Sequence, residues 1–318
     1  MEFEHAFQIP NSKFQIPNYK HSVITLIINP ISGNAHWGEV ADRVDVARTA
    51  LAGCGEESRV VVSDRRGHVR ELAAAAVRSG SKLVMVWGGD GTMNEAGSAL
   101  VGTDVPLALI PAGSGNGLAR ELGTPMRPAA AISAALKGRP RVIDAGELGG
   151  RPFFNVAGVG FDAHIASCFD RAPRRGLATY VRVSARELLT YRPALYRIDC
   201  SDSEKVGPTL SPHRALLITI ANSPQFGNGA KIAPFARLDD GRLDLVVYEE
   251  VSRFATMCAV PRLFAGGIER VRGMTTRQIE RARIESDAPM AFHVDGEPVE
   301  GGTALEVRVL PKALSVIV

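Results

Sequence analysis

Short apolar runs alternate with helical spacers through the first third of the chain, and that alternation limits the fold more than any other feature. The runs Val23–Ile28, 60–62, 83–87 and 105–110 have strand length and suit a sheet buried on both faces. Segments 37–53, 68–79, 94–101 and 117–122 carry helical patterns between them. A βαβα order of this kind predicts an α/β domain over 21–136 built on a mostly parallel sheet, with ligands at the carboxyl ends of the strands.

Beyond about residue 136 the pattern changes. Segments 153–156, 196–200, 215–220, 243–248, 281–285, 290–294 and 305–310 read as strands separated by turns. Two helices are expected, at 177–190 and 253–265, the second kinked by Pro261. This half, 137–318, is expected to be an antiparallel β-sandwich domain whose last strand returns to the first domain. At the other end, 7–13 is repeated as 14–20, and the segment 1–20 is expected to be a flexible tail.

Apolar residues make up 45% of the 318, enough to fill two cores. Net charge is only +3 despite 37 basic residues, which speaks against nucleic acid as a partner. Cys54, Cys168, Cys200 and Cys258 lie far apart with no CxxC pair, which argues against zinc and disulfides and for a reducing compartment. With neither a signal-peptide pattern nor an apolar run of about twenty residues, a cytoplasmic protein that meets lipid from the surface is expected.

Three predicted strands end in loops of small and polar residues: Asn29-Pro30-Ile31-Ser32-Gly33-Asn34, Gly88-Gly89-Asp90-Gly91-Thr92, and Pro111-Ala112-Gly113-Ser114-Gly115-Asn116. Glycines let backbone N–H groups approach phosphate oxygens, and a following helix adds its positive end. A single such loop can be an ordinary turn, whereas three on one edge suit a polyphosphate. Neither GxxxxGK[ST] nor GxGxxG occurs. An acid among glycines would repel phosphate unless a cation intervened, so Asp90 reads as a Mg²⁺ holder; its plainer reading is a helix N-cap.

The chain resembles the diacylglycerol kinase catalytic family, which includes sphingosine and ceramide kinases and small bacterial lipid kinases. The resemblance rests on these loops, extended through Met93-Asn94-Glu95 and Gly117-Leu118-Ala119-Arg120, and on Asp144-Ala145-Gly146, Gly158-Val159-Gly160-Phe161-Asp162-Ala163, Asp239-Asp240-Gly241 and Asp295-Gly296-Glu297-Pro298. It implies a phosphofructokinase/NAD-kinase-like α/β domain, a C-terminal β-sandwich and ATP in the cleft between them. By that resemblance Asn29, Ser32, Gly33, Gly88, Gly89, Gly91, Thr92, Asn94, Glu95, Gly113, Ser114, Gly115 and Asn116 hold the nucleotide. Asp90 and Asp144 organise Mg²⁺, Asp240 matches a structural Mg²⁺ ligand, Asp162 a substrate-headgroup contact, and Glu297 the general base, with Asp90 the second candidate.

The implied activity is ATP-dependent phosphorylation of a primary lipid hydroxyl, diacylglycerol first. The alternatives are a sphingoid base or ceramide as acceptor, an NAD kinase, and a non-catalytic nucleotide or lipid sensor. Gly117 departs from the Asp usual in bacterial diacylglycerol kinases and matches the small residue of sphingosine and ceramide kinases. Between 171 and 197, Arg171, Arg174, Arg175, Arg182, Arg186, Arg192 and Arg197 accompany one acid, Glu187, and several apolar residues. This basic amphipathic stretch suits either an anionic inner membrane face or a solvated helix surface. A homodimer is left open.

Overall fold

The computed structural model describes residues 23–33, 37–171, 177–202, 205–206, 210–249 and 252–318. The segment 1–20, Asn34, Arg174 and Arg175 lie outside the described residues. In the first half β1 (Val23–Ile28), β2 (Ser58–Val62), β3 (Ser81–Gly88) and β4 (Leu107–Pro111) form a parallel sheet in the order β4-β3-β1-β2. Successive side chains of a strand face opposite sides. Ile27 accordingly packs with Val69 and Ala73 of α2 (His68–Arg78) and Met93 of α3 (Asp90–Leu100), while Leu26 and Ile28 pack with Leu51 of α1 (Trp37–Ala52) and Ile132 of α5 (Pro128–Lys137). The short α4 (Gly117–Glu121) follows β4. The sequence reading assigned no element to α5, an alanine-rich segment that Pro128 opens at a first-turn position where its missing N–H costs nothing.

The second half is a β-sandwich-like array of antiparallel strands. Its elements are β5 (Pro140–Leu148), β6 (Arg151–Phe153), β7 (Val156–Gly160), α6 (Phe161–Asp170), α7 (Leu177–Leu188), β8 (Ala194–Asp202), β9 (Lys205–Val206) and β10 (Leu210–Ala221). Then come the small β11 (Gln225–Gly227) and β12 (Ala230–Lys231) pair, β13 (Leu243–Glu249), α8 (Arg253–Ala259), α9 (Arg262–Ala265), β14 (Met274–Ile279), β15 (Arg281–Ser286), β16 (Ala291–Val294), β17 (Glu297–Glu300) and β18 (Ala304–Ile317). Phe153, Ile198, Ile218, Ile220, Leu245, Ile284 and Phe292 fill its core. Pro261 divides the helix expected at 253–265 into α8 and α9. β18 pairs with β15 and β5, bulges between Leu310 and Leu314, and reaches β4 in parallel at Val316 and Leu107.

The strand expected at 153–156 is two strands. β6 stops at Phe153 and β7 starts at Val156, because the chain between them turns its N–H groups onto the carboxylate of Asp295. Asp295 Oδ2 accepts from Phe154 N–H at 3.0 Å and from Asn94 Nδ2 on α3 at 2.8 Å. Its Oδ1 accepts from Asn155 and Val156 N–H at 2.9 and 3.1 Å. Asp295 thus joins the β16–β17 turn to both halves of the chain. Removing one side of such a buried network costs roughly 3 kcal/mol. Asp295→Ala is therefore expected to lower unfolding free energy in urea by about 3 kcal/mol, and a wild-type midpoint would refute this role.

Candidate active site

The strand order places the loops after β1, β3 and β4 side by side, and hydrogen bonds tie them together. Asn29 Nδ2 donates to Thr92 Oγ1 at 2.8 Å, joining the first loop to the second. Ser32 Oγ donates to the Asn29 carbonyl, and Arg43 of α1 reaches that carbonyl and the Ser32 carbonyl at 3.2 and 2.9 Å while lying over the Trp87 ring. Arg43 was not among the sequence-derived candidates, since nothing in a helix pattern shows which loop an arginine clasps.

Asp90 joins the second loop to the third. It is the first residue of α3, and Gly89, not Asp90, occupies the cap position. Its carboxylate crosses to the next loop, with Oδ2 accepting from Asn116 N–H and Oδ1 from Gly117 N–H, both at 2.8 Å. Asn116 holds a left-handed conformation with φ 50° and closes its own loop through two hydrogen bonds with Gly113. A side chain at Gly113 would come within 2.6 Å of the Gly89 backbone, and one at Gly115 within 2.7 Å of Asp90 Oδ2. Glycine is required here for close packing. Gly117 has the same kind of reason, because a Cβ there would meet Asn155 Nδ2 at 2.4 Å.

The second half covers this edge. Asn228 N–H donates to the Gly115 carbonyl, and Asn155 Nδ2 to the Gln225 carbonyl. At the β16–β17 turn Asp295 and Gly296 both have positive φ, 48° and 83°, the geometry of a tight hairpin. The turn brings Glu297 against the second loop: a Cβ on Gly91 would lie 3.0 Å from Glu297 Oε1. The hairpin turn and the approach of Glu297 to the second loop thus occur together. Arg66, whose charge acts on Glu297, has its Nη2 3.1 Å from Asp170 Oδ1 at the end of α6.

Several sequence-derived candidates sit elsewhere. Asn94 is buried and donates to Asp295 and to the Pro152 carbonyl, so it fastens α3 to the second half rather than facing the edge. Asp144 is buried and tied to the second half: its oxygens accept from Gly241 and Lys312 N–H, both at 2.7 Å, linking β5 to the Asp240-Gly241 turn and the β18 bulge. Asp240 is exposed and accepts from Arg242 N–H, as an Asp-Gly turn does. Asp162 faces inward, with Oδ2 2.8 Å from buried His293 Nε2 and accepting from Thr219 Oγ1.

Charge is concentrated around α3. Burial, then the Asp295 carboxylate, push Asp90 up to about 6 against the pull of its backbone donors. Burial also raises Glu297; the Glu95 charge adds to this and Arg66 opposes it. Glu95 Oε1 accepts from Gly67 N–H, while its buried Oε2 has no partner among the described residues. An unpartnered carboxylate oxygen beside Glu297, whose carboxyl the Glu95 charge raises, fits a hard divalent cation such as Mg²⁺. Glu95 offers that oxygen, whereas each Asp90 oxygen already accepts a backbone N–H. Removing the Glu95 charge by Glu95→Gln relieves repulsion at Glu297, so the Glu297 pKa is expected to fall. Carbon NMR titration of the side-chain carboxyls checks this, and an unchanged or higher value would contradict it.

Comparison with known proteins agrees with this two-part fold. Residues 23–148 match the diacylglycerol kinase catalytic domain, and residues 155–318 match the YegS C-terminal NAD kinase beta sandwich-like domain. The chain is 30% identical over 316 residues to a protein named diacylglycerol kinase from Mycobacterium tuberculosis, covering 95% of this chain and 97% of that one. It is 30% identical over 278 residues to a "probable lipid kinase YegS-like" of Pseudomonas fluorescens, covering 86% and 90%. A crystal structure titled as a diacylglycerol kinase from Bacillus anthracis superposes with a TM-score of 0.72 at 20% identity, covering 94% and 97%; at that identity the likeness shows the fold.

Proposed function

We propose that this chain, which belongs to the diacylglycerol kinase catalytic family, transfers the γ-phosphate of ATP to the hydroxyl of a lipid, with diacylglycerol as the first acceptor. The observation that carries the reading is the approach of Glu297 to Gly91, which sets a raised-pKa carboxylate against the loop edge suited to a polyphosphate. Phosphoryl transfer passes through a loose transition state, so positioning and charge neutralisation do most of the work. The packed loops give the edge its shape, and α3 turns its positive end toward it. Mg²⁺ held by Glu95 would neutralise phosphate charge, and Asp90 keeps the second and third loops together. Glu297 would accept the hydroxyl proton, and the Asp295 pin keeps it aimed. The acceptor assignment follows the relative's name, and Gly117 does not oppose it: the Asn155 side chain leaves no room for a larger residue there.

Transfer of labelled phosphate from ATP to diacylglycerol, monoacylglycerol, sphingosine, ceramide and NAD tests this. Label is expected in diacylglycerol, and label only in NAD or in no acceptor would overturn the proposal. Glu297→Gln is expected to cost on the order of 100-fold in kcat, and Asp90→Ala at least about tenfold more; full turnover without Asp90 would sink the mechanism.

Peripheral attachment to an anionic membrane belongs to the same proposal. Among the described residues no helix is long and apolar enough to cross a bilayer. Phe254 (79% exposed), Met257 and Phe264 on α8 and α9, and Leu189 just past α7, stand out from the surface near Arg182, Arg186, Arg192 and Arg262, all exposed. Arg253 Nη2 donates to the Tyr191 carbonyl and fastens α8 beside the end of α7. Each arginine near an anionic bilayer contributes about 1 kcal/mol, and apolar side chains add insertion. Sedimentation with phosphatidylserine-containing vesicles is expected, weakened by salt and by Phe254→Ala/Phe264→Ala; no sedimentation at low salt would count against it.

A further inference from the structure

The spacing of the cysteines speaks against zinc, yet the packing of α6 on α7 brings one of them into a mixed-ligand cluster. His164 and Cys168 lie four residues apart on one face of α6, and Glu187 of α7 meets them. His164 Nε2 is 2.9 Å from Glu187 Oε2 and 3.7 Å from Cys168 Sγ, and all three ligand atoms lie within 4.8 Å of one another. Both contacts use the same ring nitrogen. A proton relay from thiol to carboxylate would use opposite nitrogens of the ring. Convergence on one nitrogen is instead what a shared metal produces. Tetrahedral zinc with ordinary bond lengths to nitrogen, oxygen and sulfur separates its ligands by about 3.3–3.6 Å, so small side-chain rotations would bring both edges to that spacing.

The surroundings agree with this reading. Thiolate and carboxylate together balance the double charge of the metal. Without metal, burial and the Glu187 charge push the Cys168 thiol up, with Arg171 opposing. The rings of Tyr191 at 5.3 Å and Phe161 at 6.5 Å hold the imidazole in place. His164 and Glu187 are partly exposed, which leaves a route for water to a fourth position.

We propose that His164, Cys168 and Glu187 bind a borderline-soft divalent metal, zinc, which clasps α6 to α7. This site is separate from the Asp90 and Glu95 carboxylates and does not depend on the kinase reading. Its position couples two surfaces, since α6 carries Asp170, the partner of Arg66 near Glu297, and α7 carries part of the exposed arginine-rich face.

Titration of the full chain with Co²⁺ as a spectroscopic stand-in tests the proposal. A thiolate-to-cobalt charge-transfer band saturating at one equivalent and displaced by Zn²⁺ is expected. Cys168→Ser should abolish the band, whereas Cys54→Ser/Cys258→Ser should leave it. Glu187→Gln should weaken zinc binding by on the order of tenfold or more. No band, or a band that survives Cys168→Ser, would overturn the site. Alkylation of Cys168 followed by mass spectrometry gives a second readout: zinc should slow it at least about tenfold in the intact chain, and equal rates with and without zinc would refute the assignment.

Discussion

A buried carboxylate must be satisfied by fixed donors, and the geometry of the cleft depends on how Asp295 meets that demand. Its oxygens collect Asn94 from α3 and three successive backbone N–H groups between β6 and β7. Those donors come from parts of the chain distant in sequence, so the carboxylate fixes their relative positions. The turn that carries Asp295 has two positive φ angles in succession, which leaves little freedom in the direction of the next side chain, Glu297. The aim of Glu297 is therefore set by a neighbour whose own oxygens are both taken by fixed donors.

The same region gathers Asp90, Glu95, Asp295 and Glu297, and the protein treats these acids in two ways. Asp90 and Asp295 are each held by backbone donors, which stabilise charge without adding a cationic side chain. Glu95 keeps one oxygen bare, and Glu297 is left with repulsion that Arg66 offsets only in part. Backbone donors hold both oxygens of Asp90 and of Asp295, whereas Glu95 has such a donor on one oxygen only. This division explains why carboxylates that look alike in the sequence do different things.

The three loops were legible because their signals are local: apolar run, glycine, polar residue, helix. The β-rich second half was legible for the same reason. What could not be read was which distant group a polar side chain would meet. Asn94 looks like a loop residue of the nucleotide edge and is a buried fastener to Asp295; Asp144 looks like a partner of Asp90 and binds the Gly241 turn and the β18 bulge. Asp162 has His293 as its partner, more than a hundred residues away. α6 is hidden in the sequence, since 161–170 follows β7 with no residue between and mixes polar with apolar residues. β18 was read only over 305–310, because Pro311 and Lys312 look like an ending when they are a bulge within a strand of 14 residues.

That long strand has a consequence for how the protein acquires its shape. Val316 lies beside Leu107, and Leu314 and Val316 are buried with Ile143 and residues of α2 and α3 in the first half's core. The first half is consequently not finished when its own residues have been synthesised. Its outer strand β4 waits for a partner about two hundred residues later, a separation that makes closure slow and cooperative. On the ribosome the first half would pass through a state with one sheet edge open, and the two halves would reach their final packing as one event.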